Sequence, residues 1–309
     1  MQNKIKIASV SGPTGVGKTE TSLIIAKLMN AEIISADSMQ IYKYMNIGTA
    51  KPTVEERQGI AHHLMDFLDP DCDYSVADFS SDAKRICEDI VSRGKFPLLV
   101  GGTGLYIDSF LDGVKFGEGE RDLSYRKELE DLANLKGNEY IHNMLMDVDP
   151  QSADAIHPNN LKRVIRALEI YKTTGITKSE QDRLSKTRQS EYDFTKILFV
   201  RERDELYRRI DLRVDIMLKD GLVDEVKYLM DNFRLSSTAS QAIGYKEVIS
   251  YLNCEISYED MTELIKMNTR RYAKRQLTWF SKSEGINIVS LDDKSTHDVA
   301  KECIKIING

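Results

Sequence analysis

Short apolar runs recur along the chain and alternate with amphipathic segments. Continuous apolar runs of four to eight residues between turn residues are typical of buried parallel strands. The intervening segments, such as ETSLIIAKLMN and VADFSSDAKRICEDIVSRG, have helical spacing instead. This alternation predicts an α/β fold, in which helices cover both faces of a parallel sheet. The predicted strands are IKIASV (5–10), AEIISA (31–36), FPLLVG (96–101), KILFV (196–200) and INIVSL (286–291).

The strand pattern is interrupted in the middle of the chain. Three segments there have helical spacing and are closed by Gly or Pro: LSYRKELEDLANLKG, NEYIHNMLMDVDP and NNLKRVIRALEIYKTTG. We therefore predict an all-helical insertion domain over residues 116–191. The flanking parts, 1–115 and 192–309, would together form the α/β catalytic core.

Two long helices are predicted after the insertion. The first follows KILFV, with Asp204 as its N-cap and Gly221 as its end. The second begins after Ser257, which precedes Asp260 by three residues, the spacing of a capping box. Between residues 264 and 282 this helix contains six basic residues and no acidic one. Such a local basic stripe indicates a partner better than the net charge of −6 does.

Composition indicates an ordinary globular enzyme, because 41% of the 309 residues are hydrophobic and 30% are charged. No apolar stretch approaches the ~18 residues of a membrane span. The segment MQNKIKIASV lacks the pattern of a secretory leader, so we expect a cytoplasmic protein that does not contact membranes. The four cysteines stand far apart, which predicts free, mostly buried thiols instead of a zinc site or disulfides.

Residues 12–19, GPTGVGKT, match the phosphate-loop pattern G-x-x-x-x-G-K-[ST]. The motif follows a predicted strand and opens a predicted helix, where backbone N–H groups and the helix dipole converge on phosphate oxygens. Lys18 adds a positive charge, and the hydroxyl of Thr19 would complete a Mg²⁺ shell. We therefore expect a P-loop NTPase-like core with Mg²⁺ as cofactor. The predicted phosphate-binding residues are Gly12, Pro13, Thr14, Gly15, Val16, Gly17, Lys18 and Thr19.

A second feature argues against ATP as the bound phosphate. Nucleotide hydrolases usually have an apolar strand that ends in an aspartate holding the Mg²⁺ water shell. FPLLVG continues into Gly102 and Thr103 without a carboxylate. Asp37, by contrast, follows the second strand, at the edge where open α/β sheets bind ligands. A carboxylate beside bound phosphate can take a proton from a nucleophile, although a turn or N-cap aspartate remains the alternative interpretation.

Eight segments in order resemble the bacterial tRNA dimethylallyltransferase family: GPTGVGKT, ISADSMQIYKYMNIGTAKP, HHLMDFLDP, YSVADF, LLVGGTGLY, RVIRALEIY, QAIGYKE and RRYAKRQLTWF. The resemblance implies that the loop holds the diphosphate of dimethylallyl diphosphate. It also implies prenyl transfer to the exocyclic amine (N6) of the adenosine on the 3′ side of the anticodon, with release of diphosphate. Asp37 would be the general base, and Thr103 would lie at the reaction channel. Lys18, Thr19 and Arg213 would stabilise the charge that develops on the diphosphate, while a surface ion pair remains the alternative for Arg213.

The resemblance implies a dispersed contact surface for the anticodon stem-loop, as is usual for recognition of single-stranded RNA. Ser38, Met39 and Gln40 match family residues that line the target nucleotide. Phosphate contacts from basic residues would supply affinity and not sequence recognition. The implied tRNA-binding residues are Asp37, Ser38, Met39, Gln40, Thr103, Arg126, Lys162, Arg163, Val164, Ile165, Arg166, Gln241, Ala242, Ile243, Gly244, Tyr245, Lys246, Arg270 and Lys274.

Three other functions share part of this pattern. A prenyltransferase for free adenine nucleotides would need the phosphate loop and Asp37, but it would leave the helical insertion and the basic helix without a purpose. A P-loop kinase for a small metabolite would consume ATP. An RNA-binding module without catalysis would leave the loop and Asp37 unexplained. We expect tRNA prenylation by a monomer.

Overall fold

Six strands form one sheet in a computed structural model that describes residues 4–113, 122–186 and 190–309. The strands are β1 (Ile5–Ser11), β2 (Ala31–Ala36), β3 (His62–His63), β4 (Phe96–Gly101), β5 (Tyr192–Val200) and β6 (Ile286–Ser290). All pairings are parallel, in the order β3-β2-β4-β1-β5-β6. This confirms the predicted α/β class with a parallel sheet.

Helices connect these strands and fill the middle of the chain. In the first part they are α1 (Lys18–Leu28), α2 (Val76–Ser92) and α3 (Gly104–Leu111). The middle part contains α4 (Leu123–Lys136), α5 (Asn138–Val148), α6 (Pro150–Ala155), α7 (Leu161–Thr174) and α8 (Lys178–Lys186). The last part contains α9 (Arg203–Lys219), α10 (Leu222–Asn232), α11 (Tyr245–Leu252), α12 (Tyr258–Phe280) and α13 (Thr296–Asn308), with a 3₁₀ turn at Ala239–Gln241.

The chain divides into two compact units. One consists of Met1–Leu111 with Glu191–Gly309 and contains the sheet; the other, Asp112–Ser190, is helical wherever the structure describes regular elements. The sequence-based division between residues 115 and 116 lies outside the described residues, so that boundary stays a prediction.

Helices cover the two faces of the sheet, as the continuous apolar strands predict. On one face, α1 and α13 pack against a core that includes Val10, Ile197 and Phe199. On the other face, α2 and α3 bury a cluster that includes Ile7 and Leu99. A third apolar cluster contains side chains from α9, α10, α11 and α12 and from the segment that follows β2. This packing holds that segment at the carboxyl edge of the sheet.

Several local expectations need correction. The N-cap of α9 is Glu202, because its carboxylate accepts the N–H groups of Asp204 and Glu205; Asp204 lies in the first turn. Strand β5 begins four residues before KILFV, since Tyr192 pairs with Ile5 of β1. Strand β6 ends at Ser290 instead of residue 291.

Other expectations are confirmed or confirmed in part. Ser257 caps α12 and accepts the N–H of Asp260. The thiols are free, but only Cys87 and Cys303 are buried; Cys72 and Cys254 are exposed. Within the described ranges, no helix is long and apolar enough to cross a membrane.

Candidate active site

The phosphate loop joins the end of β1 to the start of α1. Gly15 and Gly17 have φ angles of 80° and 112°, which favour glycine. A Cβ at Gly15 would also lie 3.0 Å from a side-chain carbon of Ile210, and one at Gly17 3.2 Å from a side-chain carbon of Leu291. No side chain of the described residues caps α1, so its first N–H groups are available to an anion.

Lys18 folds back over this loop. Its Nζ donates hydrogen bonds to the carbonyls of Gly12 and Pro13, at 2.8 and 2.9 Å. Burial lowers the pKa of Lys18 to about 8, while the negative charge of Asp37 raises it and the positive charge of Arg213 lowers it further. The three charged groups therefore lie close enough to influence one another.

Asp37 directly follows β2 and closes a turn. Its Oδ1 accepts the backbone N–H groups of Met39 and Gln40, at 2.9 and 3.3 Å. Its Oδ2 receives no hydrogen bond from the residues that the structure describes. The turn expected as the alternative function of Asp37 is present, yet one carboxylate oxygen remains available to accept a proton.

Thr103, which follows β4, forms hydrogen bonds with residues at the end of β2. Its Oγ1 accepts the N–H of Ser38 at 3.0 Å, and its own N–H donates to the carbonyl of Ala36 at 3.1 Å. The strand ends approach so closely that a Cβ at Gly101 would lie 2.1 Å from the oxygen of Ala36. Thr103 and Asp37 therefore share one edge of the sheet.

Helix α9 brings two arginines to the loop. Arg209 donates from Nε to the carbonyl of Gly15 at 2.9 Å. Burial lowers the pKa of Arg213; the nearby charge of Arg209 adds to this decrease, and the charge of Asp37 opposes it. Arg213 forms no ion pair with any described carboxylate, so the surface ion pair considered as an alternative is not observed. A partly buried cation without a paired carboxylate is suited to bind an anionic ligand.

The loop, Asp37 and Arg213 line one cavity of about 710 Å³. Residues of the segment 241–246 line it as well, and so do Ser38, Met39 and Gln40. Helix α12 contributes Tyr272, Arg275 and Gln276. The structure thus brings together the predicted base, part of the predicted RNA-binding set and five of the predicted phosphate-binding residues, whereas Gly12, Pro13, Val16 and Thr103 are not among the residues that line this cavity.

Glu225 organises part of the cavity wall through its contacts with the segment before Thr49 and with Tyr245, and the sequence did not point to it. Its carboxylate accepts three consecutive backbone N–H groups, from Asn46, Ile47 and Gly48, at 2.8–3.1 Å. Tyr245 also donates its hydroxyl to Glu225, at 2.6 Å. The Tyr245 side chain is therefore a buried structural element of the wall. An isolated glutamate in a helix provides no sequence signal for this task.

Tyr272 and Gln276 were also missed, although both belong to a quoted motif. Burial raises the pKa of Tyr272 to about 12, and the charge of Asp37 adds to the increase. Gln276 is 6% exposed and bonds to two backbone groups, the N–H of Thr14 and the carbonyl of Gly102. The position of Tyr272 near Asp37 and the two hydrogen bonds of Gln276 depend on how α12 packs against the sheet edge. The sequence alone does not show that packing.

Two cations of the predicted basic stripe of α12 are ion-paired within the described residues. Lys266 lies 2.7 Å from Asp215, and Arg270 lies 2.5 Å from Asp211, both on α9. Within the described ranges, Lys274 has no ion pair. It borders a separate depression beside Trp279.

The predicted RNA-binding residues of the helical unit differ in exposure. Arg126 and Arg166 both pair with Glu169, which is fully buried in that unit. The side chains of Val164 and Ile165 are buried in its apolar core. The two exposed members are Lys162 and Arg163.

Comparison with known proteins gives consistent matches along the whole chain. The family model described as IPP transferase matches residues 40–283, and that described as isopentenyl transferase matches residues 5–71. The chain is 46% identical over 308 residues to the tRNA dimethylallyltransferase of Alkaliphilus metalliredigens, covering 99% of this chain and 98% of the relative. It is 47% identical over 309 residues to that of Thermoanaerobacter sp. strain X514, with the same coverage.

Two solved structures are similar over almost the full chain. The tRNA isopentenylpyrophosphate transferase of Bacillus halodurans is 43% identical, with a TM-score of 0.74 and coverage of 99% of this chain and 97% of that one. A eukaryotic dimethylallyltransferase acting on tRNA is 32% identical, with a TM-score of 0.82 and coverage of 98% and 78%. With this agreement in sequence and fold, the chain belongs to the IPP transferase family.

Proposed function

We propose that the protein transfers the dimethylallyl group of dimethylallyl diphosphate to N6 of the adenosine on the 3′ side of the anticodon in tRNA, releasing diphosphate. One observation carries this proposal: a phosphate loop and a carboxylate with a free oxygen face the same cavity. The similarity to tRNA dimethylallyltransferases supports tRNA as the acceptor.

The proposed step is a substitution at the first carbon of the prenyl group. The bond from this carbon to the diphosphate oxygen breaks, and diphosphate leaves with the electron pair. The bond to N6 forms, and Oδ2 of Asp37 takes the proton that N6 loses. The amine is a poor nucleophile because its lone pair is delocalised into the ring, so removal of the proton is the contribution expected of a general base.

The cations of the site stabilise the leaving group. Lys18, Arg213 and the N–H groups of α1 act on the charge that develops on the diphosphate oxygens. Because these groups are fixed before the reaction, little reorganisation is needed as the charge develops. The adenine must leave the stacked anticodon loop to enter the cavity, which costs a few kcal/mol.

Mg²⁺ is the proposed cofactor, with Thr19 as its protein ligand. Thr19 is exposed to the cavity, and the described residues contain no cluster of three carboxylate, His or Cys ligands. This donor set fits an ion held mainly by the diphosphate and water, as Mg²⁺ often is. When bound, the ion would neutralise charge on the diphosphate. We also propose that the protein acts as a cytoplasmic monomer on the anticodon stem-loop.

Mass spectrometry of tRNA incubated with the protein and dimethylallyl diphosphate tests the proposal. The expected result is a mass increase of one prenyl group on an anticodon-loop adenosine. A parallel reaction replaces tRNA with free adenine nucleotides. Modification of these nucleotides but not of tRNA would instead identify a nucleotide prenyltransferase. Omitting the donor serves as the control, because no other source of prenyl groups is then present.

A further inference from the structure

Gln276 lies between the two halves of the candidate site. Its Oε1 accepts the N–H of Thr14 in the phosphate loop, and its Nε2 donates to the carbonyl of Gly102, each at 2.9 Å. One amide thus connects the loop after β1 with the residue directly after β4. Both partners are backbone groups, so Gln276 constrains the path of the chain on each side.

The connection continues to the base. Gly102 precedes Thr103, whose Oγ1 accepts the N–H of Ser38, the residue after Asp37. A sequence of contacts therefore runs from the phosphate loop through Gln276 and Thr103 to the turn of Asp37. Strands β1 and β4 are neighbours, with Ser11 opposite Gly101, but their hydrogen-bonded ladder stops there.

The packing around Gln276 is tight. A Cβ at Gly102 would lie 2.3 Å from Nε2 of Gln276, whereas the next atom outside that side chain, the oxygen of Gly12, would be 3.6 Å away. One turn earlier on α12, the hydroxyl of Tyr272 lies near Gln276 and Thr103. Gln276 is thus held in one place, and Gly102 leaves just enough space for its amide.

We infer that Gln276 is a positioning residue that sets the distance between the diphosphate seat and Asp37. It does not need to touch either substrate. By holding the loop at Thr14 and the sheet edge at Gly102, it keeps the donor carbon in line with the acceptor amine, and geometry of this kind contributes strongly to rate. The inference rests on the proposed function in one respect, namely that the loop holds the diphosphate of the donor.

The test compares variants that break the bridge from its two ends. Gln276→Ala removes the amide, and Gly102→Ala displaces it by the added methyl group. Each should weaken binding of inorganic diphosphate roughly five- to fifty-fold, since each leaves buried backbone groups unpaired. Each should also lower kcat at saturating substrates, with unchanged affinity for anticodon stem-loop RNA. Gln276→Asn, which keeps the amide but is one methylene shorter, should behave in the same way if Gln276→Ala does not fold.

The double variant distinguishes positioning from general packing. If both changes act on one bridge, the double variant should bind diphosphate no more weakly than Gln276→Ala alone. Thr278→Val on the same helix is the matched control, because among the described residues its hydroxyl donates only to the carbonyl of Lys274. Its diphosphate affinity and kcat should equal those of the wild type.

Three outcomes would overturn the inference, and they can be told apart. If wild-type protein binds inorganic diphosphate and the Gln276 and Gly102 variants bind it equally well with normal kcat, Gln276 only stabilises the fold. If wild-type protein does not bind diphosphate even with stem-loop RNA present, the proposed donor seat is itself wrong. Additive losses in the double variant would also contradict a single shared bridge.

Discussion

Asp37 performs two tasks that substitution can separate. Oδ1 holds the turn through two backbone N–H groups, and Oδ2 is the proposed proton acceptor. Asp37→Asn keeps an acceptor oxygen for the turn but cannot take a proton at neutral pH. A general base contributes ~10²–10⁴ in rate, so single-turnover prenyl transfer should slow by about this factor. Affinity for the anticodon stem-loop, measured by fluorescence anisotropy, should stay nearly unchanged, because one carboxylate adds little to a contact surface made of many phosphate contacts.

Asp37→Ala is the companion variant, because it removes the turn as well as the base. It should be at least as slow as Asp37→Asn, and the difference between them measures what the turn contributes. Retention of more than about a tenth of wild-type rate by Asp37→Asn would fall outside the range for a base and leave Asp37 with a structural role only.

Lys18 should make donor binding depend on pH. In the free protein its pKa is lowered from 10.5 to about 8 by burial. Only the protonated ammonium attracts the diphosphate, so binding raises this pKa. Affinity should therefore be fully present below pH 8 and decrease as the pH rises through 8. Calorimetric titration of inorganic diphosphate across this range measures the effect.

Lys18→Arg is the control for this titration, because a guanidinium stays charged throughout. The ligand's own ionisation is the same for both proteins and cancels in the ratio of their affinities. A ratio that is constant from below to above pH 8 would show that Lys18 does not titrate at the site.

Residues whose type carries the chemistry could be predicted from the sequence, and residues that act as connectors could not. The phosphate loop and Asp37 are recognisable because their position relative to the strands determines what they can do. Glu225 and Gln276 act through backbone groups of segments far away in the chain. Their importance appears only when helices α10 and α12 are packed against the sheet edge.

At the scale of elements, the charges of α12 depend on its neighbour α9. The run between residues 264 and 282 contains no acid, but Asp211 and Asp215 on α9 pair with Arg270 and Lys266. The sequence could not reveal this, since those acids stand more than fifty positions earlier along the chain. The carboxylates of α9 therefore neutralise part of the positive charge of the stripe, although the stripe itself contains no acidic residue.

This pairing changes the expected salt dependence of RNA binding. Lys274→Gln should reduce the slope of log affinity against log salt by roughly 0.7–0.9, the value for one lost phosphate contact. Lys266→Gln is the matched control on the same helix, and it should leave the slope unchanged because Lys266 already pairs with Asp215. Filter binding of the anticodon stem-loop at several salt concentrations measures both. Equal slopes for wild type and Lys274→Gln would mean that Lys274 does not contact RNA phosphate.

The strands and long helices were predicted well, and so was the cap of α12, whereas the short strand β3, the start of β5 and the N-cap of α9 were not. Five apolar runs became strands because a buried parallel strand must be apolar on both faces. Strand β3 has only two residues, too few to produce a periodic pattern. The start of β5 was missed because YDFT mixes polar and apolar residues, and its strand conformation comes from pairing with β1.

At the scale of the whole molecule, turnover should need no ATP. Strand β4 ends in Gly101 beside the phosphate loop, and Thr103 there bonds to backbone and hydroxyl groups without offering a carboxylate. Prenyl transfer in a reaction that contains only tRNA, donor and Mg²⁺ should thus proceed at full rate. A coupled assay should detect no ADP when ATP is added. Stoichiometric ADP release would favour the metabolite kinase considered above.

The order of the strands has a consequence for synthesis on the ribosome. β1 lies in the middle of the sheet, between β4 and β5, and Ser11 pairs with Leu198 across 187 positions of sequence. At ~5–20 residues per second, translation leaves one side of β1 unpaired for roughly 10–40 s while the residues between β1 and β5 are made. An unpaired apolar strand edge invites association with other chains. The nascent chain is thus most exposed to aggregation before residue 192 emerges, and chaperone binding should matter most in that interval.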